Sequence, residues 1–258
     1  MIGGPPCQGF SIAGNIGRKF IDDPRNRLFQ EFVRVVKVTK PMYFVMENVA
    51  RLYNHNKNET RQEIIEAFEK LGYKVACQIL NSADYGVPQV RKRVIFIGSR
   101  INDTILFPEV SHPEHLPLQE ALKNLPKLHS GEECKKTLNH KAMNHTKQML
   151  EKMSFLQDGE TREKIPQNLR PKSGDARKYI KYNSKKPSIT ITGDMRKVFH
   201  PFENRALTVR ELARIQTFPD TFEFKSSSIA QQQQVGNAVP PLMAEAIANA
   251  IKKMADAH

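Results

Sequence analysis

Residues 42–49 read MYFVMENV, a short apolar run that ends in two polar side chains. Consecutive apolar positions, rather than alternating ones, mark a strand buried on both faces, as in a parallel sheet. Glu47 and Asn48 then fall at the C-terminal end of that strand, where open α/β sheets carry their functional groups. Upstream, DDPRNRLFQEFVRVVKVTKP (22–41) spaces Leu28, Phe29, Phe32, Val33 and Val36 as one face of a helix, and Pro41 stops the pattern. Downstream, NETRQEIIEAFEKLGYKV (58–75) predicts a second helix with Ile64, Ile65, Phe68 and Leu71 inward, ended by Gly72. Two further strands are expected in VACQIL (75–80) and RVIFIG (93–98), with the turn-rich NSADYGVPQVRK (81–92) between them. The alternation of strand and helix predicts an α/β sheet of the doubly wound type.

From about residue 105 to 204 the rhythm is lost. Prolines, histidines and lysines dominate, and PSITITGDM (187–195) is the clearest strand candidate. Order returns at LTVRELARIQ (207–216), where Thr208 and Glu211 form a capping box ahead of inward-facing Leu212 and Ile215, and a helix in PLMAEAIANAIKKM (241–254) closes the chain. The expected organisation is one α/β domain of residues 1–104 and 205–258, interrupted by a smaller domain of residues 105–204.

The 258 residues are 39% hydrophobic, enough to bury a core, and their apolar runs are far too short to cross a membrane. No secretory signal is legible at the N-terminus, so a soluble, cytoplasmic protein is expected. Three cysteines, Cys7, Cys77 and Cys134, are too few and scattered for a disulfide framework, which leaves free thiols. His112, His115, His140 and His145 fit no metal-ligand spacing, and no metal is expected. The net charge is +13, and residues 121–205 hold 19 Lys and Arg against 9 Asp and Glu, a net +10. Such a concentrated excess is either the footprint of a polyanion, most often nucleic acid, or a solvated lysine-rich surface.

The chain opens MIGGPPCQGFS (1–11). Pro5 and Pro6 fix the backbone just before Cys7, and the glycines allow a tight turn and close approach to a ligand. Taken alone, the loop is open to two readings: a structural turn, or a support for Cys7 as nucleophile.

Five stretches in order, GGPPCQGFS (3–11), MENV (46–49), QVRKR (89–93), RALTVRELARIQTFPD (205–220) and VGNAVPP (235–241), resemble the DNA cytosine-5 methyltransferase family. The resemblance spans almost the whole chain outside the basic middle. It implies a Rossmann-like methyltransferase sheet, with the inserted segment 105–204 as a target-recognition domain. It further implies double-stranded DNA as substrate, S-adenosylmethionine as methyl donor, and a bacterial restriction–modification setting. Cys7 corresponds to the nucleophile and Glu47 to the group that meets cytosine ring nitrogen 3. Arg93 is expected to face the cytosine and Arg91, on an opposite face, to support the site or the phosphates. Pro6, Gly236, Asn237, Ala238 and Val239 match the cofactor pocket, the last four in a turn before the two prolines. DNA contacts are expected from Gln8, Ser11, Arg177, Thr190, Arg196, Arg205 and Arg210, with base-reading side chains in residues 173–200. The family's usual opening strand and Gly-rich cofactor loop have no counterpart here. Three expectations follow: a second polypeptide or self-association completes the cofactor site, the chain is a truncated product, or it binds DNA without chemistry.

Overall fold

The computed structural model describes residues 1–6, 27–170 and 178–257. The chain divides into two compact units: residues 1–81, 92–109 and 246–258 in the first, and residues 82–91 and 110–245 in the second. The break at 81/82 and 91/92 separates the turn-rich link from the strands it joins, and residues 205–245 group with the basic middle of the chain. The expected boundaries at 104/105 and 204/205 therefore differ from the observed ones. The reason is packing: Leu207, Val209, Leu212, Ala213, Ile215 and Val235 share one core with Tyr182, Ile191, Met195 and Val198.

The first unit contains β1 (Ile2–Gly3), α1 (Arg27–Thr39), β2 (Tyr43–Val49), α2 (Glu59–Glu69), β3 (Lys74–Asn81) and β4 (Lys92–Ser99). The sheet order is β1-β2-β4-β3; β1 runs parallel to β2, and β4 is antiparallel to both β2 and β3. The four predicted elements of MYFVMENV, its two flanking helices and RVIFIG form where the apolar spacing put them. Tyr43 to Met46 are all buried, so β2 is covered on both faces as its unbroken apolar run requires. On one face Phe44, Met46, Val94 and Phe96 meet Phe29, Phe32 and Val36 of α1 and Ile64 and Phe68 of α2. The Phe44 and Phe68 rings lie 4.2 Å apart at the centre of this cluster. α1 ends where Lys40 takes a left-handed φ of 43° before Pro41, and Gly72, at φ 84°, closes the segment after α2.

In the second unit, α3 (Gln119–Leu122) and α4 (Lys147–Ser154) precede a parallel pair of two-residue strands, β5 (Ile180–Lys181) and β6 (Val198–Phe199). α5 (Val209–Ile215) starts with the expected capping box: the Thr208 side chain accepts from Glu211 N, and the Glu211 side chain accepts from Thr208 N. α6 (Ser228–Asn237) follows, capped by Ser227. α7 (Pro241–Asp256) closes the chain with Pro241 as its first residue, and its residues from Ala246 on are grouped with the first unit. Residues 187–195 do not form the expected strand. Ser188 alone bridges in parallel to Gln89, and the Ile191 and Thr192 amides bond to the Gln89 and Met195 side chains instead of to a neighbouring strand. Among the described residues no helix is long and apolar enough to cross a membrane.

Candidate active site

In the first unit the site is built from the end of β1 and the C-terminal end of β2. Gly3 lies under the Phe32 ring, so close that a Cβ there would sit 2.5 Å from Phe32 Cε2. Gly4 passes Glu47: a Cβ would lie 3.3 Å from its Oε2. The buried Asn48 side chain donates from Nδ2 to the Pro5 carbonyl at 2.9 Å. MENV thus anchors the chain two residues before Cys7. Cys7, Gln8 and Ser11 lie outside the described residues; Pro6 is exposed.

Glu47 and Arg93 meet across the sheet. Glu47 pairs in register with Ile95, and Arg93 two residues away on β4 shares that face, the diagonal geometry in which long side chains touch. Arg93 Nε lies 2.8 Å from Glu47 Oε1, with the two side chains only 15% and 19% exposed. Burial pushes the Arg93 guanidinium below its usual value, and the charge and hydrogen bond of Glu47 act against that. Arg93 remains a cation at neutral pH and fixes one carboxylate oxygen.

Arg91 belongs to the second unit. Strand alternation does not separate it from Arg93, because residues two apart on a strand share a face; the separation arises because β4 starts only at Lys92. Residues 82–91 close on themselves, with Ser82 N bonded to the Arg91 carbonyl at 3.0 Å and Ser82 Oγ to the Gln89 carbonyl at 2.7 Å. Arg91 is 1% exposed and donates from Nη1 to Ile191 O at 3.0 Å and from Nη2 to Gly236 O at 2.9 Å. Gln89 accepts from Ile191 N at 2.8 Å and donates to Gln216 Oε1 at 2.7 Å, and Gln216 donates to Val235 O at 2.7 Å. Neither Gln89 nor Gln216 was singled out in the sequence. Their signal is a polar residue at a position that the surrounding apolar pattern assigns to the interior.

Gly236 is part of the last turn of α6 and not of a free turn. A Cβ there would lie 2.4 Å from the Thr192 carbonyl carbon and 2.7 Å from Gly193 N, so its lack of a side chain serves backbone-to-backbone packing. It is not an open cofactor cradle. Asn237 is exposed, with no side-chain hydrogen bond among the described residues, and Ala238 and Val239 are half-buried. These three offer one free amide and small apolar surfaces, while Pro6 is an exposed residue of the first unit.

The arginines assigned to DNA divide by burial. Arg205, 1% exposed, is clamped by Glu211 through Nη1–Oε2 at 2.8 Å and Nη2–Oε1 at 2.6 Å, with Glu203 2.6 Å from Nη2. Arg210 is fully buried and donates to the carbonyls of Leu138, Pro219 and Phe222. Both are interior groups that cannot reach a phosphate without unfolding, which corrects their assignment to a DNA surface. Arg196 is exposed and pairs with Asp194, which Lys178 also meets at 2.9 Å. The hydrogen bonds from Arg196 and then Lys178 hold the Asp194 carboxyl far below the usual carboxylate range. Thr190 is half-buried, its hydroxyl donating to Val90 O at 2.9 Å, while Ile191 is a core residue. Arg177 lies outside the described residues.

Among the described residues no group of three or more His, Cys, Asp or Glu side chains is gathered as a metal site. His140 bonds Thr208 Oγ1 at 2.9 Å and Pro126 O at 2.8 Å, and His145 Nε2 accepts from Ala206 N at 3.0 Å. Cys77 and Cys134 are free thiols.

Comparison with known proteins places these features. The sequence profile of the C-5 cytosine-specific DNA methylases matches residues 1–253. Type II methyltransferase M1.HphI of Haemophilus parahaemolyticus is 64% identical over 254 residues, covering 98% of this chain and 68% of that protein. Type II methyltransferase M.DdeI of Desulfomicrobium norvegicum is 39% identical, over 97% of this chain and 72% of the relative. A prophage-encoded DNA modification methyltransferase from E. coli superposes with a TM-score of 0.74 at 25% identity, covering 99% of this chain and 78% of that one. The Entamoeba histolytica methyltransferase EhMeth shares the fold, with a TM-score of 0.65 over 98% of this chain and 77% of its own at 16% identity. The chain belongs to the C-5 cytosine-specific DNA methylase family. It is a DNA cytosine-5 methyltransferase of the kind found in type II restriction–modification.

Proposed function

We propose that this chain moves a methyl group from S-adenosylmethionine to carbon 5 of a cytosine within a specific duplex sequence, in a cytoplasmic setting. The observation that carries this reading is the Glu47–Arg93 pair beside Gly4, with Asn48 holding the Pro5 carbonyl just before Cys7. Carbon 5 of cytosine is a poor nucleophile. Addition of the Cys7 thiolate to carbon 6 forms a carbon–sulfur bond and pushes the ring electrons toward carbon 5 and nitrogen 3. Glu47 holds a proton at nitrogen 3 as charge develops there, and Arg93 fixes the Glu47 carboxyl and faces the base. The cofactor, when bound, supplies an electrophilic methyl. Transfer of the carbon 5 proton to solvent water, with the nitrogen 3 proton returned to Glu47, then restores the ring double bond and expels Cys7 as thiolate. Asn237, Ala238 and Val239 are the residues of the second unit that would hold the cofactor.

Because the target atom lies inside the duplex, the base must be taken out of the stack. The basic surface of the second unit, including Arg196 and Lys178 on either side of Asp194, neutralises phosphates around it. Transfer of labelled methyl to mixed-sequence duplex DNA tests the reading. Cys7→Ser should abolish transfer with DNA affinity retained, and Glu47→Gln should lower it by roughly 100- to 10,000-fold. Wild-type protein that binds DNA but transfers no label would reduce the chain to a DNA-binding module, and activity retained in Cys7→Ser would remove Cys7 from the mechanism.

A further inference from the structure

One guanidinium in the second unit touches the two segments to which the proposed function gives different tasks. Arg91 donates to Ile191 O, between half-buried Thr190 and exposed Thr192, and to Gly236 O, next to Asn237. The two segments also meet without clearance, since the Gly236 Cα faces the Thr192 carbonyl with no room for a methyl group. A second link runs beside the first, from Ile191 N through Gln89 and Gln216 to Val235 O. All three side chains are at most 1% exposed. Segment 188–191 and the last turn of α6 are thus tied twice through buried polar groups, each of which is costly to leave unpaired.

We propose that Arg91 is a positioning residue, a buried brace that locks the DNA-facing segment 188–192 to the C-terminal turn of α6, so that DNA bound on the first orders the second. This rests on the function proposed above. The physical basis is that a planar guanidinium holds two carbonyls in one fixed geometry, whereas a lysine ammonium on a flexible stem reproduces one such contact and not the fork. Restricting either segment restricts the other, because displacing one breaks the shared hydrogen bonds of both.

The test is amide hydrogen exchange on the full chain, with and without saturating mixed-sequence duplex DNA. In the wild type, DNA should slow exchange in peptides covering 188–193 and, roughly tenfold, in those covering 230–239. In Arg91→Lys, DNA-dependent protection should persist at 188–193 and fall below roughly twofold at 230–239. A merely structural role would raise exchange with and without DNA alike and leave the DNA-dependent difference intact, which overturns the proposal. Where Arg91→Lys fails to fold, Gln216→Met severs the second link and should reduce the same protection. Wild-type chain that binds DNA without protection at 230–239 refutes the brace alone. Wild-type chain that does not bind duplex DNA refutes the proposed function, and the brace with it.

Discussion

Substituting Glu211→Gln should destabilise the second unit severely, although the change is nearly isosteric and lies far from any proposed chemistry in the sequence. Glu211 is 1% exposed and accepts two hydrogen bonds from Arg205, at 2.6 and 2.8 Å, as well as the Thr208 N–H at 2.7 Å. A glutamine keeps one acceptor, enough for Thr208 N–H, but leaves the buried Arg205 cation short of its partner. Breaking a buried ion pair by removing one member costs about 3–5 kcal/mol. Glu203, also 2.6 Å from Arg205, remains as a partly solvated counter-charge, which points to the lower end, about 3 kcal/mol. At about 2–4 °C per kcal/mol for a unit of this size, the melting midpoint should fall by about 6–12 °C. The effect carries a pH signature. Burial pushes the Glu211 carboxyl up, but the Arg205 hydrogen bonds and charge, with His200 and Thr208 N–H, outweigh it and hold the carboxyl below the usual range. A depressed folded value contributes stability above the unfolded value, about 4.3, that is lost as pH falls through the folded one. The gap between wild type and variant should therefore be constant near neutrality and narrow below about pH 4. Urea denaturation followed by circular dichroism across that range measures it. A loss under about 1 kcal/mol at neutral pH would show that Arg205 is hydrated and that the buried clamp is misread.

Two further outcomes follow from packing and protonation. Gly236→Ala should cost about 1–3 kcal/mol or more, because its methyl would meet main-chain atoms of Thr192 and Gly193 that no rotamer can move; an unchanged urea midpoint would contradict the close approach. Burial lowers the pKa of His200, with Glu211 opposing, and of His145, aided by Arg205. For a histidine with a depressed folded value, stability is present above the unfolded value of about 6.5 and is lost as pH falls from there. The urea midpoint should drop between about pH 7 and 5.5, with a smaller drop in His145→Gln, and a flat profile would mean that both rings take up protons as readily in the folded state as in the unfolded chain.

The elements most legible in the sequence were those whose apolar spacing admits one solution. MYFVMENV could only be a strand buried on both faces, and Phe29, Phe32 and Val36 could only line one helix. Strand direction was less accessible: the antiparallel course of β4 depends on the short 3-10 turn at Ser82–Tyr85 and the closed loop up to Arg91, which composition marks as a turn without giving its path. PSITIT alternates like a strand, yet its ties run to the side chains of Gln89 and Met195 and to a single bridging residue. Glu47 and Arg93, the pair to which catalysis is assigned in the proposed function, were legible because motif wording named them. The arginines at 196, 205 and 210 were not distinguishable, since a basic residue carries the same symbol whether it faces solvent or the carbonyls of the interior. The boundary at 204/205 failed for a related reason: α5 looks like the resumption of one pattern but packs against the segment before it.

The grip on residues 188–191 is made largely to main-chain atoms. Ser188 offers its N–H and C=O to Pro88 and Val90, Ile191 its N–H to Gln89 and its C=O to Arg91. None of these bonds asks for a particular side chain at position 189, and position 190 contributes one hydroxyl. Exposed side chains along this strip can therefore be exchanged over evolutionary time while the strip itself stays where it is. On the function proposed above, a new sequence preference would need only surface substitution, because the glutamines, the arginine and the glycine beneath hold the strip by its main chain whatever side chain stands at position 189.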